Sequence, residues 1–364
     1  MGVVKLGDVA RESRLKWTKS KQDVPIVGLE HLIPDEIRFD AYDINTDNTF
    51  SKRFVKGQVL FGRRRAYQRK AAIAEFDGIC SGDITVIQAI EGKMVPELLP
   101  FIIQTPVFFD YANRGSAGSL SPRVKWEHLA DYEFELPPLE EQKILADKLW
   151  AAYRLKEAYK KLLVATDEMV KSQFIEMFGN PVTNTKGWKT AKIKDVAPEM
   201  PSKEQLSGKI WLLNLDMIES DTGRIIEKVY EDVENALSVQ SFDEGNVLFS
   251  KLRPYLNKVV IPDEPGMATT ELVPLRPEPS KLHKVFLSHL LRGNQFVNYA
   301  NDIAGGTKMP RMPLTELRNF DCILPPMDKQ LEFVFIAEQV DKSKFELKQC
   351  IEHIDKVIKS LING

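Results

Sequence analysis

The feature that most restricts what this chain can fold into is an internal repeat about half its length. Gly57-Gln58-Val59-Leu60-Phe61 returns 188 residues later as Gly245-Asn246-Val247-Leu248-Phe249. The register then holds through Arg65/Arg253, Tyr67/Tyr255, Lys70/Lys258, Tyr111/Tyr299, Ala112/Ala300, Asn113/Asn301, Pro122/Pro310, Arg123/Arg311 and Leu129/Leu317. Both copies end in the same breaker, Leu136-Pro137-Pro138 and Leu324-Pro325-Pro326. They also open alike, with Lys5-Leu6-Gly7-Asp8-Val9-Ala10 answered by Lys192-Ile193-Lys194-Asp195-Val196-Ala197, the offset slipped by one. A period this long exceeds the roughly 20 to 50 residues of solenoid repeats, so each copy is expected to close its own core. Two related halves in one polypeptide make a pseudo-dimer, and its target is expected to have two parts.

Composition narrows the class. A chain of 364 residues that is 43% hydrophobic and 28% charged belongs with folded proteins of two to three domains. Its three cysteines, Cys80, Cys322 and Cys350, form no CxxC pair, which speaks against a disulfide framework or a zinc finger and for a reducing cytoplasm. The opening residues Met1 to Leu6 carry no apolar signal core, and Leu6 stands where a myristoylation signal has Ser or Thr. No apolar run approaches the roughly 20 residues that cross a bilayer, so no membrane partner is expected. A net charge of -2 would argue against a polyanionic partner, because nucleic-acid binding modules tend to be basic. Charge therefore has to be judged locally.

From Met1 to about Asp131 the chain reads as short β runs between turn residues, such as Gln58-Val59-Leu60-Phe61, Ala71-Ala72-Ile73-Ala74 and Ile84-Thr85-Val86-Ile87. The stretch from Pro96 to Asn113 reads as helix broken or kinked at Pro106, and its counterpart from Ser280 to Asn301 as helix without that proline. Each globular copy is thus α+β. From Leu139 to Phe178 there is no Gly or Pro, and Ala, Leu, Lys and Glu dominate. One stripe of small or apolar residues runs through Leu155, Ala158, Leu162, Ala165 and Met169, and a neighbouring one through Tyr159, Leu163, Val170 and Phe174. Gly179-Asn180-Pro181 supplies a stop. The second copy ends likewise, with Phe333, Ile336, Val340, Leu347, Ile351, Ile354, Ile358 and Leu361 on one stripe interrupted by Lys344. Each segment would be roughly 55 Å long as a helix. So many apolar positions predict that the two helices pair with each other, antiparallel about a pseudo-two-fold, with the globular copies at opposite ends. The alternative is that each helix packs only on its own copy.

Between Ser51 and Lys70 stand Lys52, Arg53, Lys56, Arg63, Arg64, Arg65, Arg69 and Lys70, with no acid among them and with Tyr67 and Gln68 interleaved. Arginines beside an aromatic and an amide suit phosphates and base edges, and Arg can fork onto guanine. The equivalent stretch of the second copy, with Lys251, Arg253, Tyr255, Asn257 and Lys258, is basic but chemically different. A second repeated loop runs from Arg114 to Arg123 and includes Ser119; it aligns with Asp302 to Arg311, which includes Thr307 and Lys308. Small residues followed by hydroxyl and basic groups let a backbone approach a phosphate. Positions kept in both copies (Arg65/Arg253, Tyr67/Tyr255, Lys70/Lys258, Arg123/Arg311) cannot tell two half-sites apart, which suits phosphate or scaffold roles. Positions that differ (Arg63/Lys251, Arg64/Leu252, Gln68/Leu256, Arg69/Asn257, Ser119/Thr307) suit base reading.

Little in the chain points to chemistry of its own. The five histidines form no HExxH or other metal pattern, and there is no Walker A loop or GxGxxG. The two Pro-Pro sites lack the flanking Asn or Asp and aromatic that amino-methyltransferases place against a flipped base.

Two diverged copies, each closed by an "LPPLEEQ"-type junction (Leu136 to Gln142, and Leu324 to Gln330) before a long helix, resemble the specificity subunits of type I restriction-modification enzymes. The stretches "GQVLFGR" and "GNVLFSK", and "FDGICSGD" at Phe76 to Asp83, are similar to that family's target-recognition domains. The resemblance implies an α+β protein with two similar recognition domains, residues 1–136 and 181–324. Two long antiparallel helices, residues 137–180 and 325–364, would join them as a coiled-coil spacer. It further implies a chain without catalysis, in which each domain binds half of a split double-stranded DNA target. The helices would set the gap and dock two methyltransferase subunits and, in a full system, motor-nuclease subunits. S-adenosylmethionine, ATP and Mg would then sit on the partners only, with no cofactor or metal on this chain. The half-sites would lie about one duplex turn apart, on the order of 34 Å. The competing reading is a bivalent protein-interaction scaffold that does not bind DNA.

Overall fold

A computed structural model describes residues 2–118, 121–203, 206–232 and 239–363. The chain divides into two compact units: one formed by Met1–Ala158 with Cys350–Gly364, the other by Tyr159–Gln349.

In the first unit the strands are β1 (Gly2–Lys5), β2 (Ala10–Glu12), β3 (Ile26–Val27), β4 (Lys52–Phe54), β5 (Val59–Gly62), β6 (Ala71–Ile73), β7 (Gly78–Cys80), β8 (Ile84–Ala89) and β9 (Glu133–Leu136). The short helices are α1 (Leu6–Val9), α2 (Leu99–Ile103), α3 (Pro106–Arg114) and α4 (Trp126–Ala130). One sheet has the order β2-β8-β5-β6, a second β3-β7-β4, and β1 pairs with β9. β5 is buried on both faces, which is why it reads as an unbroken apolar run rather than an alternating one. Leu60, Val86 and Ala72 face the core between the sheets, whereas Val59, Phe61 and Ile87 join the core under the helices.

The second unit repeats this plan with β10 (Thr190–Lys192), β11 (Lys209–Leu213), β12 (Val229–Asp232), β13 (Val239–Phe242), β14 (Val247–Ser250), β15 (Val259–Val260), β16 (Gly266–Thr269), β17 (Leu272–Leu275) and β18 (Asp321–Ile323). Its sheets run β12-β11-β16-β13 and β15-β14-β17, with β10 on β18. Among the described residues each unit has one parallel strand pair, β3 with β7 and β11 with β16, and the other strand pairs are antiparallel. Strand β12 is an addition at the edge of the second unit, without a counterpart strand among the described residues of the first. Gly78 and Gly266 hold the same place in the two plans. A Cβ would come within 2.6 Å of the Pro25 carbonyl and 2.7 Å of the Phe54 ring at Gly78, and within 2.7 Å of both the Trp211 carbonyl and the Phe242 ring at Gly266.

The helices that precede the Gly-rich loops differ from the sequence reading in one respect. Pro106 does break the first, at the N-terminus of α3, where its missing N–H costs nothing. The second copy, expected to run through, breaks at the same place without a proline: α6 (Ile193–Val196) is followed by α7 (Lys284–Arg292) and α8 (Asn294–Asp302), separated at Gly293, whose extended backbone cannot continue a helix. α9 (Leu314–Asn319) then repeats α4.

Two long helices, α5 (Leu139–Phe178) and α10 (Met327–Asn363), start at the Pro-Pro breakers. Gly179, with φ of 72°, ends α5. In the first unit Ala146, Leu149 and Tyr153 of α5 share a core with Ile358, Leu361 and Ile362 of α10, and Lys156 pairs with Asp355 at 2.6 Å. In the second unit Val170, Phe174 and Phe178 share a core with Phe333, Ala337 and Val340, and Lys344 pairs with Asp167 at 2.6 Å. Lys344, which interrupts the apolar stripe of α10, thus fills its place as an ion-pair partner. Of the two stripes expected on α5, only the one ending in Val170 and Phe174 is buried at its end. Leu155, Leu162 and Met169 remain 46%, 48% and 51% exposed.

The last residue of each junction motif is an interior lock. Gln142 accepts from the Val95 N–H at 2.9 Å and donates to the carbonyls of Pro137 (2.9 Å) and Lys93 (3.3 Å). Gln330 accepts from the His283 N–H at 2.9 Å and donates to Pro325 (2.8 Å) and Lys281 (2.9 Å). Each amide thus ties one carbonyl of the breaker to an N–H and a carbonyl of the turn that precedes α2 or α7.

Candidate nucleic-acid interface

Beyond β5 the chain leaves its sheet in a tight basic turn. Arg65 (φ 54°) and Arg69 (φ 54°) are both left-handed and flank one turn of 3-10 helix, Ala66–Gln68. Two such residues in five bend the chain sharply and push the intervening Tyr67 outward, 56% exposed. The Gly-rich loop lies beside it. Arg64 and Arg123 form a bridge, with the Arg65 N–H donating to the Pro122 carbonyl (2.9 Å) and the Val124 N–H to Arg63 (2.9 Å). The two loops that repeat in the sequence are therefore one surface.

The second unit builds the same object from different residues. Arg253 (φ 49°) and Asn257 (φ 47°) flank Pro254–Leu256, and Tyr255 is 50% exposed. Leu252 bridges Arg311, the Arg253 N–H donates to Pro310 at 2.7 Å, and the Met312 N–H to Lys251 at 2.9 Å.

An acid at the start of the neighbouring strand anchors each surface. Asp83 takes the Arg123 Nε at 2.7 Å and the Arg64 Nη1 at 3.2 Å. Glu271 takes the Arg311 Nη2 at 2.9 Å. Partial burial works against the charged Asp83 carboxylate, but the hydrogen bonds from Arg123 and then Arg64 outweigh it and hold the carboxyl below its ordinary range. Asp83 therefore keeps both of its arginines through neutral pH.

Each residue singled out in the sequence can now be placed. Arg65, Tyr67, Arg123, Tyr255, Thr307, Lys308 and Arg311 are exposed; Arg63, Gln68, Lys251 and Arg253 are half-buried. Among the described residues Arg65 and Lys308 make no side-chain hydrogen bond or ion pair. Arg64 is engaged by Asp83 and by the Ser121 hydroxyl, 2.9 Å away. Arg69 pairs with Asp35 and lies 5.4 Å from the centre of the Phe109 ring. Lys52 donates to the Ile84 carbonyl at 2.6 Å, and Arg53 lies 3.5 Å from Asp77. Ser119 falls outside the described residues.

Three of the residues face inward. Lys70 and Lys258 reach back to the carbonyls of Leu29 (2.7 Å) and Leu215 (2.6 Å). Asn257 is 3% exposed, its amide donating to the Arg292 carbonyl (3.0 Å) and to Asp221 (3.2 Å). For Lys70 and Lys258 this is the scaffold side of the expectation; for Asn257 it replaces a place at a base edge, because a left-handed residue closing the turn directs its side chain under it. Sequence reasoning passed over Asp83, Glu271 and Ser121. The two acids stand at the repeat offset, and that coincidence was the available signal.

The buried thiols Cys80 and Cys322 are both pushed up to about 12 by desolvation, and burial, then Arg292 and Lys344, press His289 down to about 3. Among the described residues no three His, Cys, Asp and Glu side chains are grouped to hold a metal ion, and no helix is long and apolar enough to cross a membrane.

The fold and surface together define a duplicated α+β recognition module, each copy carrying a basic turn braced by an acid. The chain belongs to the family described as type I restriction modification DNA specificity domain, matched over residues 1–163 and 185–356. It is similar to the type I restriction enzyme EcoDI specificity subunit of Escherichia coli, 23% identical over 288 residues, which cover 67% of this chain and 64% of that one; the match thus spans under two thirds of the relative's length. Its fold is similar to that of the type I restriction-modification system S subunit from M. genitalium (TM-score 0.58, 10% identity, 100% of this chain and 95% of that one). It is similar also to a chain solved in work on complex assembly and conformational transition of the type I R-M system (TM-score 0.58, 17% identity, 99% and 96%).

Proposed function

We propose that this chain is the DNA sequence-specificity subunit of a type I restriction-modification enzyme, working in the cytoplasm. Each recognition domain reads one half of a bipartite duplex target. The observation that carries this reading is that one backbone construction, the left-handed-flanked turn hydrogen-bonded to the Gly-rich loop, occurs in both copies with different side chains at matching positions. A common construction with divergent readers is what two unlike half-sites require. The domains correspond to residues 1–136 and 181–324, and the helical segments 137–180 and 325–364 set the gap and dock two methyltransferase subunits and, in a full system, motor-nuclease subunits. The Lys156–Asp355 and Lys344–Asp167 pairs support helix pairing, since both members of one pair are separated from their counterparts in the other by the repeat offset. The apolar groups left exposed on α5 and α10, Leu162, Met169 and Phe345 among them, fit docked subunits. Catalysis, with S-adenosylmethionine, ATP and Mg, belongs to the partners.

Arg65, Arg123, Arg253, Lys308 and Arg311 make the phosphate contacts, and Arg63, Arg64, Gln68, Lys251 and Thr307 face the bases. Affinity of the complex for duplex DNA is expected to fall steeply with salt, by a log–log slope of about -0.9 for each phosphate contact. A protein-interaction scaffold would show no such slope. Arg65→Ala should weaken binding to all sequences alike and reduce the slope by about one contact. Arg64→Ala should relax discrimination in one half-site only, by roughly 1 to 3 kcal/mol. Methylation of duplexes altered one base at a time separates the two effects, and a uniform loss from both substitutions would refute the division.

A further inference from the structure

A carboxylate in the middle of a basic DNA-binding surface is electrostatically unfavourable for phosphate binding, yet both copies have one. Asp83 and Glu271 stand immediately before β8 and β17, where their backbone carbonyls accept from the Arg63 N–H (2.9 Å) and the Lys251 N–H (3.1 Å). The acid is thereby pinned to the rigid sheet while its side chain reaches the Gly-rich loop. It takes Arg123 by the Nε, and Arg311 by the Nε (3.1 Å) and Nη2 (2.9 Å). The Nη groups of Arg123 make no hydrogen bond among the described residues, so the outer end of its guanidinium is free. Arg311 gives its Nη2 to Glu271 and its Nη1 only a 3.4 Å contact to the Met309 carbonyl. In the first copy the acid also gathers Arg64; in the second, where Leu252 stands at that position, it holds a single arginine.

We propose that Asp83 and Glu271 are positioning residues for specificity: each fixes its loop arginine, Arg123 or Arg311, with the outer end of the guanidinium turned to one half of the target. Arg123 and Arg311 remain phosphate contacts, and a phosphate contact fixes register: an untethered arginine lets the duplex shift, whereas a braced one presents the bases to the neighbouring reading side chains in one register, where only a matching sequence meets them well. The acid lowers general attraction to DNA and raises discrimination, which is the sense of a specificity device. This inference rests on the DNA-reading function proposed above.

The test uses the chain in complex with its methyltransferase subunits, measuring binding and methylation on duplexes varied separately in each half-site. Asp83→Asn is expected to leave non-specific binding unchanged or tighter and to reduce discrimination roughly tenfold in the first half-site alone. Glu271→Gln is expected to do the same in the second alone, and Asp83→Glu, which keeps the charge, to restore most of the loss. Equal loss at both half-sites, unchanged discrimination, or failure of both Asp83→Asn and Glu271→Gln to fold would overturn the inference, the last because the acids would then serve the fold. Absence of salt-dependent, sequence-dependent binding in the unaltered complex would instead remove the DNA reading itself.

Discussion

Phe178→Ala is expected to destabilise the second unit by about 4 kcal/mol, the cost of removing a fully buried ring and leaving a cavity that cannot collapse. Phe178 is the last residue of α5 and is 0% exposed. Its ring meets Phe286 of α7 at 4.9 Å, Phe174 one turn earlier at 5.1 Å and Phe333 of α10 at 5.8 Å. Three helices converge on this one side chain, so relaxation of any one is blocked by the other two. The Trp188 indole also donates to the Phe178 carbonyl at 2.9 Å, closing the helix end. Phe178→Leu, which keeps most of the volume, should cost under about 1.5 kcal/mol. Denaturant unfolding of the full chain measures both. A loss below 1 kcal/mol from Phe178→Ala would mean that the aromatic cluster does not seat the helices on the recognition domain.

Gln142→Leu is expected to cost about 3 kcal/mol, although it replaces a polar side chain by an apolar one of similar size inside the protein. The reason is that the buried Pro137 carbonyl and the partly buried Val95 N–H and Lys93 carbonyl would all lose their partner. Gln142→Glu tests the mechanism. Its carboxylate can still accept from Val95 but cannot donate to the two carbonyls unless protonated. Burial among carbonyls raises the folded-state pKa of such an acid above its unfolded value of about 4.3. The stability of Gln142→Glu is thus fully present below that unfolded value and is lost as pH rises through the folded one. His289, neutral in the folded chain, lowers the stability of every form at pH 5 relative to pH 8, so the midpoint change between the two is compared with that of the unaltered chain: it should depart from it for Gln142→Glu and match it for Gln142→Leu. A change equal to that of the unaltered chain for both variants would show that the amide's donor side contributes nothing.

The repeat made most of the architecture legible. Residues kept at a constant offset carry the same strands, the same parallel pairing and the same glycine close approach, because a duplicated pattern of apolar and small residues closes a duplicated core. The long helices were equally plain, bounded by Pro-Pro before and Gly179 after. The break at Gly293 was not, since a glycine in a helical pattern can be tolerated and only its extended backbone ends α7 there. The site was half legible. Arg and Tyr in an acid-free run marked the turn, but nothing local told that Asn257, Lys70 and Lys258 are used by the fold, or that an acid remote in sequence governs Arg123.

What the sequence alone determined, then, is duplication, fold class and where positive charge concentrates, because periodicity, breakers and composition act through neighbours along the chain. Which of those charges face outward was decided only in three dimensions. Left-handed residues at each end of a five-residue turn, and carboxylates brought by β8 and β17 from beyond the turn, direct Arg64, Arg123 and Arg311, and a side chain's direction follows from the backbone and partners around it.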